Sequence, residues 1–236
     1  MICKDNEGEL FVRLRMLMAL LAAAAFILSA CTGPSAEEEI YNHLEEAVSL
    51  EEPFREQQQP LVDLENEEQE LYNQIIDLSM DEFDQIQQLS EEASALVEER
   101  KEKLDTEKES IDAAKEEFDQ IESAVADLGE EQTEAKDKAA DLTETMNNRY
   151  ESYQTLYEAY DQSLTLDAEL YDMLQQEDLS EEQLQAQITE INDTYSQVME
   201  ANEQFNQHTE EYNVLKKELY DTLGLDVTYE EASGQE

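Results

Sequence analysis

Tryptophan is missing from this chain, and proline is missing after Pro60. Glycine is nearly as scarce, with Gly129, Gly224 and Gly234 the last three of five. The usual helix breakers are therefore withheld from most of the sequence. Basic residues are also few: 14 Lys and Arg stand against 62 Asp and Glu, for a formal charge of −48. This excludes a nucleic-acid partner, which needs a basic footprint. Attraction to an anionic lipid or teichoic-acid surface is disfavoured on the same ground. Cysteine is limited to Cys3 and Cys31, and histidine to His43 and His208. Neither histidine stands in a metal-ligand spacing, and no nucleophile elbow, phosphate loop or paired-carboxylate motif stands out. No catalytic residue, metal or cofactor is expected.

Long apolar runs are equally rare. The longest, Met16 to Leu28, follows Arg13 and Arg15 and ends at Leu28-Ser29-Ala30-Cys31. At 13 residues it falls short of the roughly 20 that a spanning helix needs. A positive flank, a short apolar stretch and small residues form a secretory signal. A cysteine directly after Ser29-Ala30 resembles the lipobox of bacterial lipoproteins. That resemblance implies cleavage between Ala30 and Cys31, diacylglycerol on the thiol, and an acyl group such as palmitate on the new amino terminus. Several acyl chains would anchor firmly, where a single one binds marginally. A plain secretory signal with a chance cysteine is the alternative. Asp5, Glu7 and Glu9 are misplaced in such a signal, so residues 1–11 read as a misassigned start. With Cys3 removed and Cys31 lipidated, the mature chain keeps no thiol for a disulfide, and its core alone must hold it.

Low hydrophobicity and high charge raise the prospect of disorder, but periodicity argues for helix. One heptad frame places Phe83, Ser90, Val97, Leu104, Ile111, Phe118 and Val125 at a positions. The d positions are Ile86, Ala93, Arg100, Glu107, Ala114, Ile121 and Leu128. Eleven of these fourteen are apolar, as a packed helix requires. Similar frames run through Ala139–Leu174 and Leu184–Leu223. Ser79-Met80-Asp81-Glu82 and Ser180-Glu181-Glu182-Gln183 read as capping boxes. Gly129 reads as a left-handed helix end, and Gly224 as the stop of the last helix. Pro53 and Pro60 break the N-terminal part, with Pro60 assigned to a first turn. The expected fold is all-α: an elongated up-and-down bundle of three long antiparallel coiled-coil helices, about 80–128, 131–177 and 181–223. Residues 36–78 add a broken fourth segment. A helix running through Gly129 is the competing reading. The predicted organisation is a lipoprotein signal at 1–30, a lipidated tether at 31–35, a bundle at 36–224 and an acidic tail at 225–236.

Two features carry candidate ligand or partner residues. Tyr150, Tyr153 and Tyr157, with Tyr160 and Tyr171, crowd one helix, and their rings could stack on sugar faces or fill an apolar stripe. Asn202, Asn206, Thr209, Asn213 and Lys216 form a polar seam spaced 4-3-4-3. The seam reads as a groove for peptidoglycan stems, a buried register network or a solvated edge. Acid runs such as Glu37-Glu38-Glu39 lack the glycine and alternating ligands of a calcium loop and read as solvated surface.

Ile40-Tyr41-Asn42-His43-Leu44-Glu45, Leu64–Tyr72, Asn148–Tyr153 and Phe205–Lys216 together resemble the YkyA-like cell-wall binding lipoproteins of Gram-positive bacteria. The resemblance spans most of the mature chain. It implies a helical bundle on the outer face of the cytoplasmic membrane, facing the wall, with lipid on Cys31. The expected function is a non-enzymatic rod that binds peptidoglycan or organises another envelope protein. A holdase-like extracytoplasmic chaperone or assembly factor, gripping clients between helices, is the alternative.

Overall fold

The computed structural model describes residues 33–225 and 227 of the chain. The signal segment, Ala30, Cys31 and nearly all of the acidic tail lie outside the described residues. A compact unit begins at Ala36. Its helices are α1 (Ala36–Leu50), α2 (Glu52–Ile76), α3 (Phe83–Phe118), α4 (Ile121–Ala126), α5 (Thr133–Leu174) and α6 (Glu181–Leu223). Among the described residues there is no strand, and no helix is long and apolar enough to cross a membrane.

The helices form four antiparallel arms: α1–α2, α3–α4, α5 and α6. Consecutive arms pack side by side. One end of the bundle gathers Ile40, Leu44, Phe118, Leu128, Leu142 and Leu219. The other gathers Leu61, Ile75, Ile86, Val97, Leu164 and Tyr171. Between them, Phe54, Tyr153 and Phe205 close an aromatic triangle with centroids 5.4–5.9 Å apart. The heptad frame of α3–α4 identifies this core well. Twelve of its fourteen positions are buried, all but Phe83 and Val125, and the buried set includes the polar Ser90, Arg100 and Glu107.

The caps follow the sequence at three places. The Glu82 carboxylate accepts from the Ser79 N–H, at 3.1 Å, ahead of a short 3₁₀ turn (Met80–Glu82) that leads into α3. Ser180 and Gln183 exchange the bonds of a capping box at the start of α6. Gly224 ends α6 at φ 71°, and the Leu225 N–H reaches back to the Tyr220 carbonyl.

Two expectations need correction. The chain does break near Gly129, but that residue is not left-handed. The Gln132 side chain holds the turn instead, accepting from the Gly129 N–H at 2.9 Å and donating to Glu37 at 2.7 Å. Pro60 is not in a first turn. It lies inside α2, whose packed neighbours Leu61 and Leu64 keep the helix intact around it.

The break between α1 and α2 has a specific cause. In an uninterrupted helix the Leu50 carbonyl would accept from the Phe54 N–H. Here the Ser110 hydroxyl stands between them, donating to Leu50 O at 2.6 Å and accepting from Phe54 N at 3.2 Å. A side chain inserted into the helical ladder bends the helix while satisfying both backbone groups. Pro53, which has no N–H to donate, lies just inside α2.

Candidate functional site

The bend at Glu51 aims that carboxylate at Arg149 of α5, which holds it with two bonds of 2.6 and 2.9 Å. Arg149 is buried, donates through Nε to Thr209 at 2.9 Å, and lies over the rings of Phe205 and Tyr212. Two members of the predicted polar seam are thereby explained as packing. Thr209 serves Arg149, and Lys216 bonds Glu45 at 3.2 Å while lying over Tyr220. Asn202, Asn206 and Asn213 are exposed, and Asn206 donates to Asn202 at 2.8 Å. The seam is thus a solvated edge along most of its length.

The tyrosine stripe divides in the same way. Tyr153 is only 1% exposed and belongs to the aromatic core, so it cannot present a ring to a ligand. Tyr150 and Tyr157 are half-buried and donate to Asp112 and Asp105, each at 2.9 Å. Burial, then the bond to Asp112, pushes the Tyr150 hydroxyl up to about 12.

Further along the bundle, the structure assembles a site that the sequence did not announce. Arg100 occupies a d position of α3 and is only 1% exposed. Its guanidinium donates to Glu68 of α2 at 2.5 Å, to Glu65 of α2 at 3.2 Å and to Asp167 of α5 at 3.4 Å. Three tyrosines complete the shell. Tyr160 donates to Glu65 at 2.5 Å, Tyr171 to Glu68 at 3.1 Å and Tyr195 of α6 to Asp167 at 2.7 Å. All four arms meet here.

The electrostatics are unbalanced, with one guanidinium facing three carboxylates. Burial pushes Glu68 and Asp167 above the usual carboxylate range, although Arg100 pulls each the other way. Burial also opposes the charge on Arg100, but Tyr160, Tyr195 and Glu68 more than offset it and keep the guanidinium protonated. Above this network a cleft of about 460 Å³ opens between α2 and α6, the arms whose backbones barely approach one another. Glu65, Tyr72 and Asn66 form one wall, Ile188, Ile191 and Asn192 the other, and Arg100, Asp167 and Tyr171 are reached below. The volume falls within the roughly 300–1,000 Å³ typical of small-ligand sites. The lining is polar, aromatic and aliphatic at once.

An arginine at a d position of a largely apolar frame is the available signal in the sequence. Its partners could not be read, because they lie 32 to 95 residues away on other helices.

The YkyA family profile, described as "Putative cell-wall binding lipoprotein", matches residues 35–222. The chain is 34% identical over 205 residues to the "Uncharacterized lipoprotein YkyA" of Bacillus subtilis (strain 168). That alignment covers 87% of this chain and 91% of the relative. A crystal structure of a conserved protein of unknown function from Staphylococcus aureus superposes with a TM-score of 0.67. It covers 81% of this chain and 98% of the other at 13% identity, which supports the shared fold alone.

Proposed function

The chain belongs to the YkyA family, and on that premise we propose that it is an envelope lipoprotein that binds peptidoglycan without acting on it chemically. In this reading Cys31 carries the diacylglycerol and the acyl group, and the bundle faces the wall from the outer surface of the cytoplasmic membrane. The observation that carries the proposal is the cleft between α2 and α6. Its mixture of aromatic, aliphatic and hydrogen-bonding groups suits a glycopeptide. The carboxylates beneath it are engaged by Arg100 and the tyrosines, an arrangement better suited to recognition than to proton transfer. The charge of −48 favours a neutral glycan or an amine-bearing peptide over anionic teichoic acid. A chaperone reading has less support: the large exposed apolar residues are Val62, Ile76, Met80, Met199 and Val214, and apart from Ile76 and Met80 they are scattered singly along the helices.

Sedimentation with purified, teichoic-acid-free peptidoglycan tests the binding claim. Saturable co-sedimentation is expected, and protein left wholly in the supernatant would refute it. The anchor is tested separately. Cys31→Ala protein should lose its lipid and leave the membrane fraction after signal cleavage, and retention there would count against lipid attachment.

A further inference from the structure

We infer that the cleft between α2 and α6 is a site for an organic cation: a primary ammonium on a short aliphatic stem, as in the side chain of a diamino acid. The inference rests on the cleft proposed above as the wall-binding site and names the chemistry it would take.

Charge supplies the first argument. Glu65, Glu68 and Asp167 outnumber Arg100, so the site has room for one more positive charge. Glu65 is 42% exposed at its side chain and is the carboxylate nearest to solvent. The rings supply the second. Tyr72, Tyr171 and Tyr195 line the same cleft, and aromatic faces beside carboxylates attract an ammonium. The third is the apolar wall. Ile188 and Ile191 lie half-buried on α6, where a closed four-arm bundle would have covered them. An aliphatic stem would cover them here. A bare metal ion fits less well: among the described residues no group of three or more His, Cys, Asp or Glu could hold one.

The buried acids make the site sensitive to pH. Facing the cleft floor are Glu65 and Glu68 from α2, Arg100 from α3, Tyr160, Asp167 and Tyr171 from α5, and Tyr195 from α6. Glu68 and Asp167 hold protons more readily than ordinary carboxylates because they are buried. An arriving ammonium displaces those protons, so binding weakens as pH falls.

The test is isothermal titration of the full chain in neutral detergent with Nα-acetyl-lysine amide. Saturable binding is expected, at least about tenfold weaker for the Nα,Nε-diacetyl probe, which keeps the stem and loses the charge. Affinity should also be lower at about pH 5 than at about pH 7.5. Ile191→Lys supplies an ammonium of its own at the cleft wall and should abolish binding. Ile191 has no bond in the Arg100 network, so an unchanged helical signal and melting temperature show that this variant is folded. Three results would overturn the inference: no saturable heat up to about 10 mM, equal affinity for the acetylated probe, or unchanged binding by Ile191→Lys. Sacculi bound by a protein that ignores the lysine probe would sink the cation site and leave wall binding standing. Probe binding without sacculus binding would uphold the site and reject the wall reading.

Discussion

Arg100 and Glu107 both occupy d positions of α3, seven residues apart; burial opposes the charge on each, and their partners decide the outcome. Arg100 is held charged by three carboxylates and by tyrosine hydroxyls. Removing one member of a buried charge group leaves the others uncompensated, typically at a cost of about 3–5 kcal/mol. Arg100→Leu should therefore lose stability on that scale near neutral pH. The loss should shrink as pH falls and Glu68 and Asp167 take up protons. A urea titration in which Arg100→Leu matches the parent at neutral pH would contradict this. Among the described residues no cation faces Glu107. It accepts from Gln58 at 2.6 Å, and burial pushes its carboxyl up to about 8. Its folded pKa lies above its unfolded one, so the folded state holds the extra proton. The stabilising contribution is complete below the unfolded pKa and is lost as pH rises toward about 8. Glu107→Gln keeps the shape and discards the titration. It should raise the melting temperature more at pH 8 than at pH 5, and an equal rise at both would refute the assignment.

At the scale of the elements, one hydroxyl shapes the first arm. Ser110→Ala removes the group that bridges Leu50 and Phe54, and a lost buried bond of this kind costs about 1–2 kcal/mol. The variant should also lose hydrogen-exchange protection at Phe54, or recover it by straightening the helix and displacing Phe54 from Tyr153 and Phe205. Stability and protection both unchanged would show that Ser110 does not set the bend. Helix boundaries were largely legible, because Ser79, Ser180 and Gly224 act through their nearest neighbours. Features decided by a distant side chain were not. The turn at Gly129 depends on Gln132 meeting Glu37, and the bend at Glu51 on Ser110 of another arm. The short interruption between α3 and α4 at Asp119–Gln120 has neither proline nor glycine to announce it. Heptad spacing likewise identified buried positions without saying which polar residues would meet there. A charged residue in an apolar stripe does not by itself announce the cleft above it.

For the whole molecule, −48 charges impose self-repulsion that few ion pairs can offset. Salt screens exposed charges over about 10 Å at 0.1 M. The melting temperature should accordingly rise with added sodium chloride, and a flat or falling response would show that repulsion is not the dominant surface term. The N-terminal arm is a full partner in the bundle, since Ile40 and Leu44 are completely buried and Glu51, Glu65 and Glu68 reach across it. All four arms contribute to the Arg100 site and its cleft, so wall binding is tested at that place. Its most direct measurement is sedimentation with teichoic-acid-free peptidoglycan, comparing the parent with folded Ile191→Lys. The parent should pellet saturably while the variant stays in solution. Equal pelleting of both, or of neither, would contradict the claim that this cleft is where the protein meets the wall.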